Sequence, residues 1–220
     1  MGWRIKRVST GCALAAACAA ALAASAGASG AGERFTYASI AREPTVYVAA
    51  GASTRAPIGW IEFCVEYKSD CATKPSQPRD IVLTPKAWTD LVKVNDWVNE
   101  TVKPMTDLDH WGVVERWNYP DDGYGDCEDY VLQKRKMLMK AGWPREALLI
   151  TVVRDKKGDG HAVLTVKTNR GEFVLDNEEN QIVAWDKTGY RFVKRQSQSD
   201  QNTWVSLGEP RPAPAFVSAR

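Results

Sequence analysis

The stretch GYGDCEDYVLQKRKMLMKAGW, residues 123–143, places one cysteine where a glycine-containing turn becomes a helix, with Asp126, Glu128 and Asp129 around it. Such a cysteine can be a nucleophile, a metal ligand, half of a disulfide or a small buried hydrophobe. Only the thiolate is a good nucleophile, and a free thiol ionises near ~8.5. The unpaired N–H groups and macrodipole of a helix N-terminus favour the anion, and an adjacent imidazole favours it more. The chain has two histidines, His110 and His161. His161 opens a β-branched run directly after the turn KKGDG, an edge position from which its ring can face a helix N-terminus. A third group should orient that ring. Asp176, in FVLDN, ends the strand that follows. Cys127, His161 and Asp176 are therefore a candidate nucleophile, base and orienter. Histidines and strand-ending aspartates are also common structural residues, so types and spacing leave this triad as one reading among several. His110, in DLDHWG, reads as a packed or loop residue.

The three acids need their own account, because negative charge beside a thiolate raises the thiol pKa. Capping is one reading: acids in a first helical turn complement the dipole, and Asp126 suits the N-cap. The other is a bound hard cation with oxygen ligands, which would neutralise the cluster. The turn DKKGDG (155–160) lacks an EF-hand pattern, since Lys157 and Val166 stand where ligands are needed. It reads as a turn.

The elements that must position these residues follow from periodicity. LTPKAWTDLVKVNDWVNETV reads as a helix with Thr84 as N-cap and Pro85 at the first helical position. Trp88, Leu91, Asn95, Val98 and Val102 lie at helical spacing. The second helix begins near Cys127, and Gly142 followed by Pro144 stops it. ALLITVVRD and HAVLTVKT read as a hairpin, and GEFVLDN, QIVAWD and YRFVKRQ as further short strands. Residues 45–67 look β-rich and turn-rich, and the stretch around Cys64 and Cys71 looks like a loop. Helices followed by an antiparallel meander predict an α+β domain.

The N-terminus addresses the chain. Arg4, Lys6 and Arg7 precede an alanine-rich apolar run and an A-x-A site near Ala24-Ser25-Ala26, the form of a secretory signal peptide. We expect residues 1–26 to be a signal peptide, 27–45 a flexible leader, 46–208 one domain and 209–220 a disordered tail. The expected location is periplasmic, with no stable membrane anchor after cleavage. The full chain has 29 Lys+Arg against 27 Asp+Glu, and the signal removes three bases and no acid. The remaining balance gives no support to nucleic-acid binding. Cys12 and Cys18 leave with the signal. In an oxidising compartment Cys64 and Cys71 suit a short-range disulfide, with zinc binding the competing reading. Cys127 is then the odd cysteine.

GDCEDYVLQKRKMLMKAGW, followed by LLITVV, HAVLTV and FVLDN, resembles the bacterial transglutaminase-like cysteine proteinases, which include the LapG-type periplasmic proteases. VNDWVN and HWGVVERWNYP are similar to family features, and the resemblance spans roughly residues 85–195. It implies a papain/transglutaminase-like core, with the nucleophile at a helix N-terminus packed on an antiparallel sheet. It implies the roles of nucleophile for Cys127, general base and acid for His161 and orienter for Asp176. The backbone N–H of Cys127 is then a candidate oxyanion donor, with the Trp117 indole as a possible second. LapG-type proteases are calcium-dependent, which implicates Asp126, Glu128 and Asp129 as calcium ligands. The resemblance further implies a surface adhesin as substrate and an inner-membrane cyclic-di-GMP receptor as partner, in a biofilm setting. A transglutaminase or amidase using the same triad, and a non-catalytic periplasmic binding module, are the other readings carried forward.

Overall fold

Thr84 and Pro85 start the first long helix as the sequence predicts: the Thr84 hydroxyl accepts from the Ala87 N–H at 3.1 Å, and the helix runs Pro85–Thr101. Its buried face is Trp88, Leu91, Asn95 and Val98. Asn95 is tolerated there because its amide donates to the Asn180 carbonyl at 2.9 Å. The computed structural model describes Tyr37, residues 47–72 and residues 75–208. Apart from Tyr37 of the leader, the expected signal peptide, leader and tail, with Cys12 and Cys18, lie outside the described residues.

In chain order the described elements are β1 (Ala50–Thr54), α1 (Ile58–Glu66), α2 (Lys68–Cys71), α3 (Pro85–Thr101), β2 (Lys103–Pro104), α4 (Asp107–Trp111), β3 (Tyr124–Gly125) and α5 (Cys127–Lys140). Then come β4 (Leu148–Arg154), β5 (Gly160–Thr168), β6 (Gly171–Leu175), β7 (Val183–Ala184), β8 (Arg191–Gln196) and β9 (Trp204–Leu207). Seven strands make one antiparallel sheet in the order β1-β9-β8-β4-β5-β6-β7. The expected meander holds only from β4 to β7. After β7 the chain crosses back, and β8 pairs with the free side of β4. β4 is therefore flanked on both sides, while β5 lies between β4 and β6; at His161 β5 is paired with β4 alone, because the β6 ladder stops at Leu164.

Strand periodicity divides the apolar residues between the two faces. Leu148, Ile150, Val152, Ala162, Leu164 and Val166 join the larger core with Leu91, Val131, Leu132 and Leu138 of α3 and α5. Val153, Val163, Val174 and Phe192 form a smaller cluster with Trp185 and Tyr190 packed on it. Each fully buried Leu, Ile or Val contributes about 1.5–3 kcal/mol against exposure. α5 therefore owes its position to packing on β4 and β5.

The region around Cys64 is helical, in contrast to the loop and strands that its sequence suggests. α1 buries Gly59, Trp60 and Phe63, and Trp60 packs against Trp117 and Trp204. Tertiary aromatic contacts of this kind override a weak local pattern. Cys64 and Cys71 form the expected disulfide, Cα–Cα 5.5 Å, linking α1 to α2. Gly59 is required by close approach: an added Cβ would lie 2.1 Å from Trp117 Cδ1. Trp117 is held in turn, its indole N–H donating to Glu115 Oε1 at 2.7 Å. Gly59→Ala should destabilise the fold by about 1–3 kcal/mol through overpacking. A urea midpoint unchanged from wild type would contradict this packing account.

Candidate active site

The turn before α5 is built to deliver Cys127. β2 and β3 pair in parallel, with Lys103 N–H donating to Gly123 O at 2.9 Å and Met105 N–H to Gly125 O at 3.0 Å. Gly125 lies against the first turn of α5, where a Cβ would come 2.6 Å from Asp129 Oδ2. One helical turn along, the Tyr130 hydroxyl donates to Val102 O at 2.7 Å, tying α5 to the end of α3. The helix closes as expected: Gly142 has φ 90°, and its N–H donates to Met139 O at 3.0 Å.

Cys127 is the first residue of α5, fully buried, and the only free cysteine among the described residues. His161 is the second residue of β5, paired opposite Val153. The β5–β6 ladder ends at Leu164 and Leu175, so Asp176 leaves the sheet beside the His161 end of β5. There His161 Nε2 meets Asp176 Oδ1 at 2.8 Å. With Nε2 committed to the carboxylate, Nδ1 is the ring nitrogen left for the thiol, and the imidazole is close enough to shift the ionisation of Cys127. The three sequence-predicted residues thus converge.

Their electrostatics reflect burial. Burial pushes the Cys127 thiol up, with the His161 imidazole pulling the other way. Burial also opposes the His161 imidazolium, but hydrogen bonds to Asp176 and Cys127 outweigh it, so His161 ionises well above 6.5. Burial raises Asp176, yet His161, Tyr190 and the Glu178 N–H together hold it below its ordinary value. An imidazole between an ionised carboxylate and a thiol at a helix N-terminus can take the thiol proton and later return it to a leaving group.

The acids do not behave as capping residues. Asp126 occupies the N-cap, but its side chain makes no capping bond. Asp126 Oδ1 and Oδ2 and Glu128 Oε1 are buried without a hydrogen-bond partner. Burial pushes Asp126 to about 7 and Glu128 well above its usual range. Asp107, Asp126 and Glu128 each turn one oxygen into a group spanning no more than 4.8 Å. Glu128 Oε2 also accepts from Cys127 Sγ at 3.2 Å. Orphaned oxygens of Asp126 and Glu128, converging with a buried Asp107 oxygen, suit a hard cation.

Asp129 is placed differently from the expectation. It stands outside that group, and its Oδ1 accepts from the Asn118 N–H at 2.8 Å. The carboxylate fastens the strand-like segment before the turn to α5. Asp107 takes the third position instead. It begins α4, whose Thr106 cap accepts from the Asp109 N–H at 3.2 Å, and it also accepts from the Arg116 N–H. Nothing in DLDH distinguishes a buried Asp107 from an exposed Asp109. Trp117 is likewise no oxyanion donor, since its indole N–H is spent on Glu115. His110 pairs with Asp122 at 2.8 Å, consistent with a structural role. The DKKGDG segment is a turn, with Asp155 Oδ1 accepting from the Lys157 and Asp159 N–H groups at 2.9 and 2.8 Å.

The family of bacterial transglutaminase-like cysteine proteinases matches residues 50–212. The chain belongs to this family. Its fold, α5 and Cys127 against an antiparallel sheet, is that of a transglutaminase-like cysteine peptidase. Among solved structures, it is similar to calcium-bound LapG of Legionella pneumophila, at 23% identity over 59% of this chain and 74% of that one, TM-score 0.47. A second LapG structure from the same organism gives 27% identity over 54% of this chain and 68% of that one, TM-score 0.46. EGTA-treated LapG gives 25%, 56%, 67% and 0.46 in the same order. Among curated proteins nothing matches. No helix among the described residues of this proteinase is long and apolar enough to cross a membrane.

Proposed function

We propose that this peptidase cleaves a protein substrate through Cys127, His161 and Asp176 by way of a thioester. The observation that carries the reading is the 2.8 Å His161–Asp176 contact beside the only described free thiol. The Cys127 sulfur attacks the scissile carbonyl while its proton passes to His161. The carbon–nitrogen bond then breaks as His161 protonates the departing amine. Water, deprotonated by His161, opens the thioester and releases the new carboxylate, and the thiol is regained. The Cys127 N–H, at the open end of α5, is placed to stabilise the oxyanion. Asp176 keeps the ring in the tautomer that leaves Nδ1 facing sulfur. The triad serves a transamidase equally well, but the family is one of proteinases, and we take water as the acceptor.

Calcium is the cation we propose for Asp107, Asp126 and Glu128, supported by the orphaned oxygens of Asp126 and Glu128 and by the convergence of all three carboxylates. When bound it would neutralise carboxylates that otherwise sit uncompensated beside the nucleophile. The site of action we propose is the periplasm, in keeping with the signal-like N-terminus and the disulfide. A cell-surface adhesin as substrate and an inner-membrane cyclic-di-GMP receptor as partner complete the reading; both rest on the sequence resemblance.

Two measurements test it. Iodoacetamide should alkylate Cys127 at pH 7 much faster than free cysteine, and His161→Ala should remove that advantage. Labelling no faster than free cysteine would overturn the triad. Calorimetric titration should show calcium binding that Asp107→Asn weakens by at least about tenfold, as loss of one charged oxygen ligand implies. Equal binding by Asp107→Asn and wild type would remove Asp107 from the site.

A further inference from the structure

Resting on the triad reading above, we infer that Tyr190 is a positioning residue of the peptidase, acting on His161 through Asp176. Two contacts support this. The Tyr190 hydroxyl donates to Asp176 Oδ2 at 2.6 Å, the oxygen that His161 does not use. Its ring also stands edge-on to the His161 imidazole, centroids 5.7 Å apart at 83°. One side chain therefore touches both the base and its orienter, without lying next to sulfur in the sequence or in the hydrogen-bond network.

Tyr190 is itself held from behind. Thr188 Oγ1 donates to Trp185 O at 2.8 Å and accepts from the Tyr190 N–H at 3.1 Å. Gly189, at φ 74°, makes the turn between them. The Lys156 ammonium lies 6.0 Å from the Tyr190 ring centroid. A cavity of about 240 Å³ adjoins this group, with Lys156, Asp176, Thr188 and Tyr190 in its wall. Tyr190 and Asp176 thus both line that cavity, with His161 on the other side of the Asp176 carboxylate contact.

The carboxylate needs this support. Asp176 Oδ1 already receives the Glu178 N–H at 3.0 Å and His161 Nε2 at 2.8 Å. Without the phenol, Oδ2 would have no donor that the structure provides, and the carboxylate could rotate about its bond to Cβ. Rotation would tilt the imidazole away from the line to the thiol. Tyr190→Phe keeps the ring and the wall and removes only the O–H. It should slow alkylation of Cys127 by iodoacetamide roughly 10- to 100-fold, the effect of one hydrogen bond to a charged group.

The experiment is a double-mutant cycle on the calcium-supplemented protein, using iodoacetamide as probe, with wild type, Tyr190→Phe, Asp176→Ala and the double variant. If Tyr190 acts through Asp176, its substitution slows the wild type but adds nothing in the Asp176→Ala background. An equal slowing in both backgrounds would mean a general structural prop and would overturn the inference, as would a Tyr190→Phe rate equal to wild type. The far-downfield proton resonance of the His161 Nε2–H should move or broaden in Tyr190→Phe while the unfolding midpoint stays near wild type. His161→Ala separates this from failure of the triad. If its rate equals wild type, the triad reading falls; if it is slow while Tyr190→Phe is fast, only the Tyr190 inference falls.

Discussion

His161→Ala lowers turnover of any peptide or activated ester that the wild-type enzyme hydrolyses by about 10⁴- to 10⁶-fold, the scale on which nucleophile–base units fail together. The imidazole is buried between Cys127 and Asp176, so no solvent base can take its place. Removing it takes away proton transfer at both the attack and the release of amine. Cys127→Ala should fall to the same floor, and the double variant should be no slower than either, because both remove one machine. Asp176→Ala should cost less, about 10²- to 10⁴-fold, since a mispositioned imidazole still takes protons. Steady-state and single-turnover rates on the four proteins check this. Activity of His161→Ala within tenfold of wild type would remove His161 as the base.

The second large effect is on stability and concerns Lys134. This lysine is fully buried on α5, and its ammonium donates to the Asp176 main-chain carbonyl at 2.8 Å. Burial drives its pKa from 10.5 down to about 7, with Asp176 and Asp96 opposing. In the unfolded chain the amine stays protonated to about 10.4. Between pH 7 and that value the unfolded state binds more protons than the folded one, so stability from this residue rises with pH. Below pH 7 both states are charged and the full desolvation cost is present. Lys134→Met keeps the bulk and removes the charge, and the Asp176 carbonyl retains the Asn99 amide at 2.8 Å. At pH 6.5 the methionine variant should therefore be more stable by on the order of a few kcal/mol. The difference should narrow by pH 9. Urea unfolding at both values decides it. A methionine variant that is less stable at pH 6.5 would show that the ammonium repays its burial.

Lys134 and Tyr190 meet at Asp176 from opposite sides, one at the main chain and one at the carboxylate. A costly buried cation under the orienter is what one expects where function rather than stability selects a residue. Asp176 is the most heavily supported member of the proposed triad. Its Oδ1 receives His161 and the Glu178 N–H, its Oδ2 receives Tyr190, and its carbonyl receives Lys134 and Asn99. His161 draws its position from Asp176, and Cys127 from the start of α5.

The sequence by itself determined the parts whose signals are local. The Thr84 cap with Pro85, the helical stripe on α3, the Gly142 stop and the β4–β5 hairpin are each set within a few residues. Types and spacing made Cys127, His161 and Asp176 a candidate set, a thiol at a helix start, one of two histidines and a strand-ending acid, and the resemblance to the family singled it out from the other readings. Where long-range contact decides, the sequence was silent. α1 is a helix because Trp60 and Phe63 pack on aromatic residues distant in the chain. Asp107 joins Asp126 and Glu128, while Asp129 turns to Asn118, although all four carry the same carboxylate. Trp117 loses its indole to Glu115, and β8 crosses to β4, bringing the turn before it, with Tyr190, to Asp176. A side chain's type tells what chemistry it can do; only the packing around it decides which partner spends that chemistry, because hydrogen-bond and ligand geometry is fixed within a few tenths of an ångström by elements far apart in sequence.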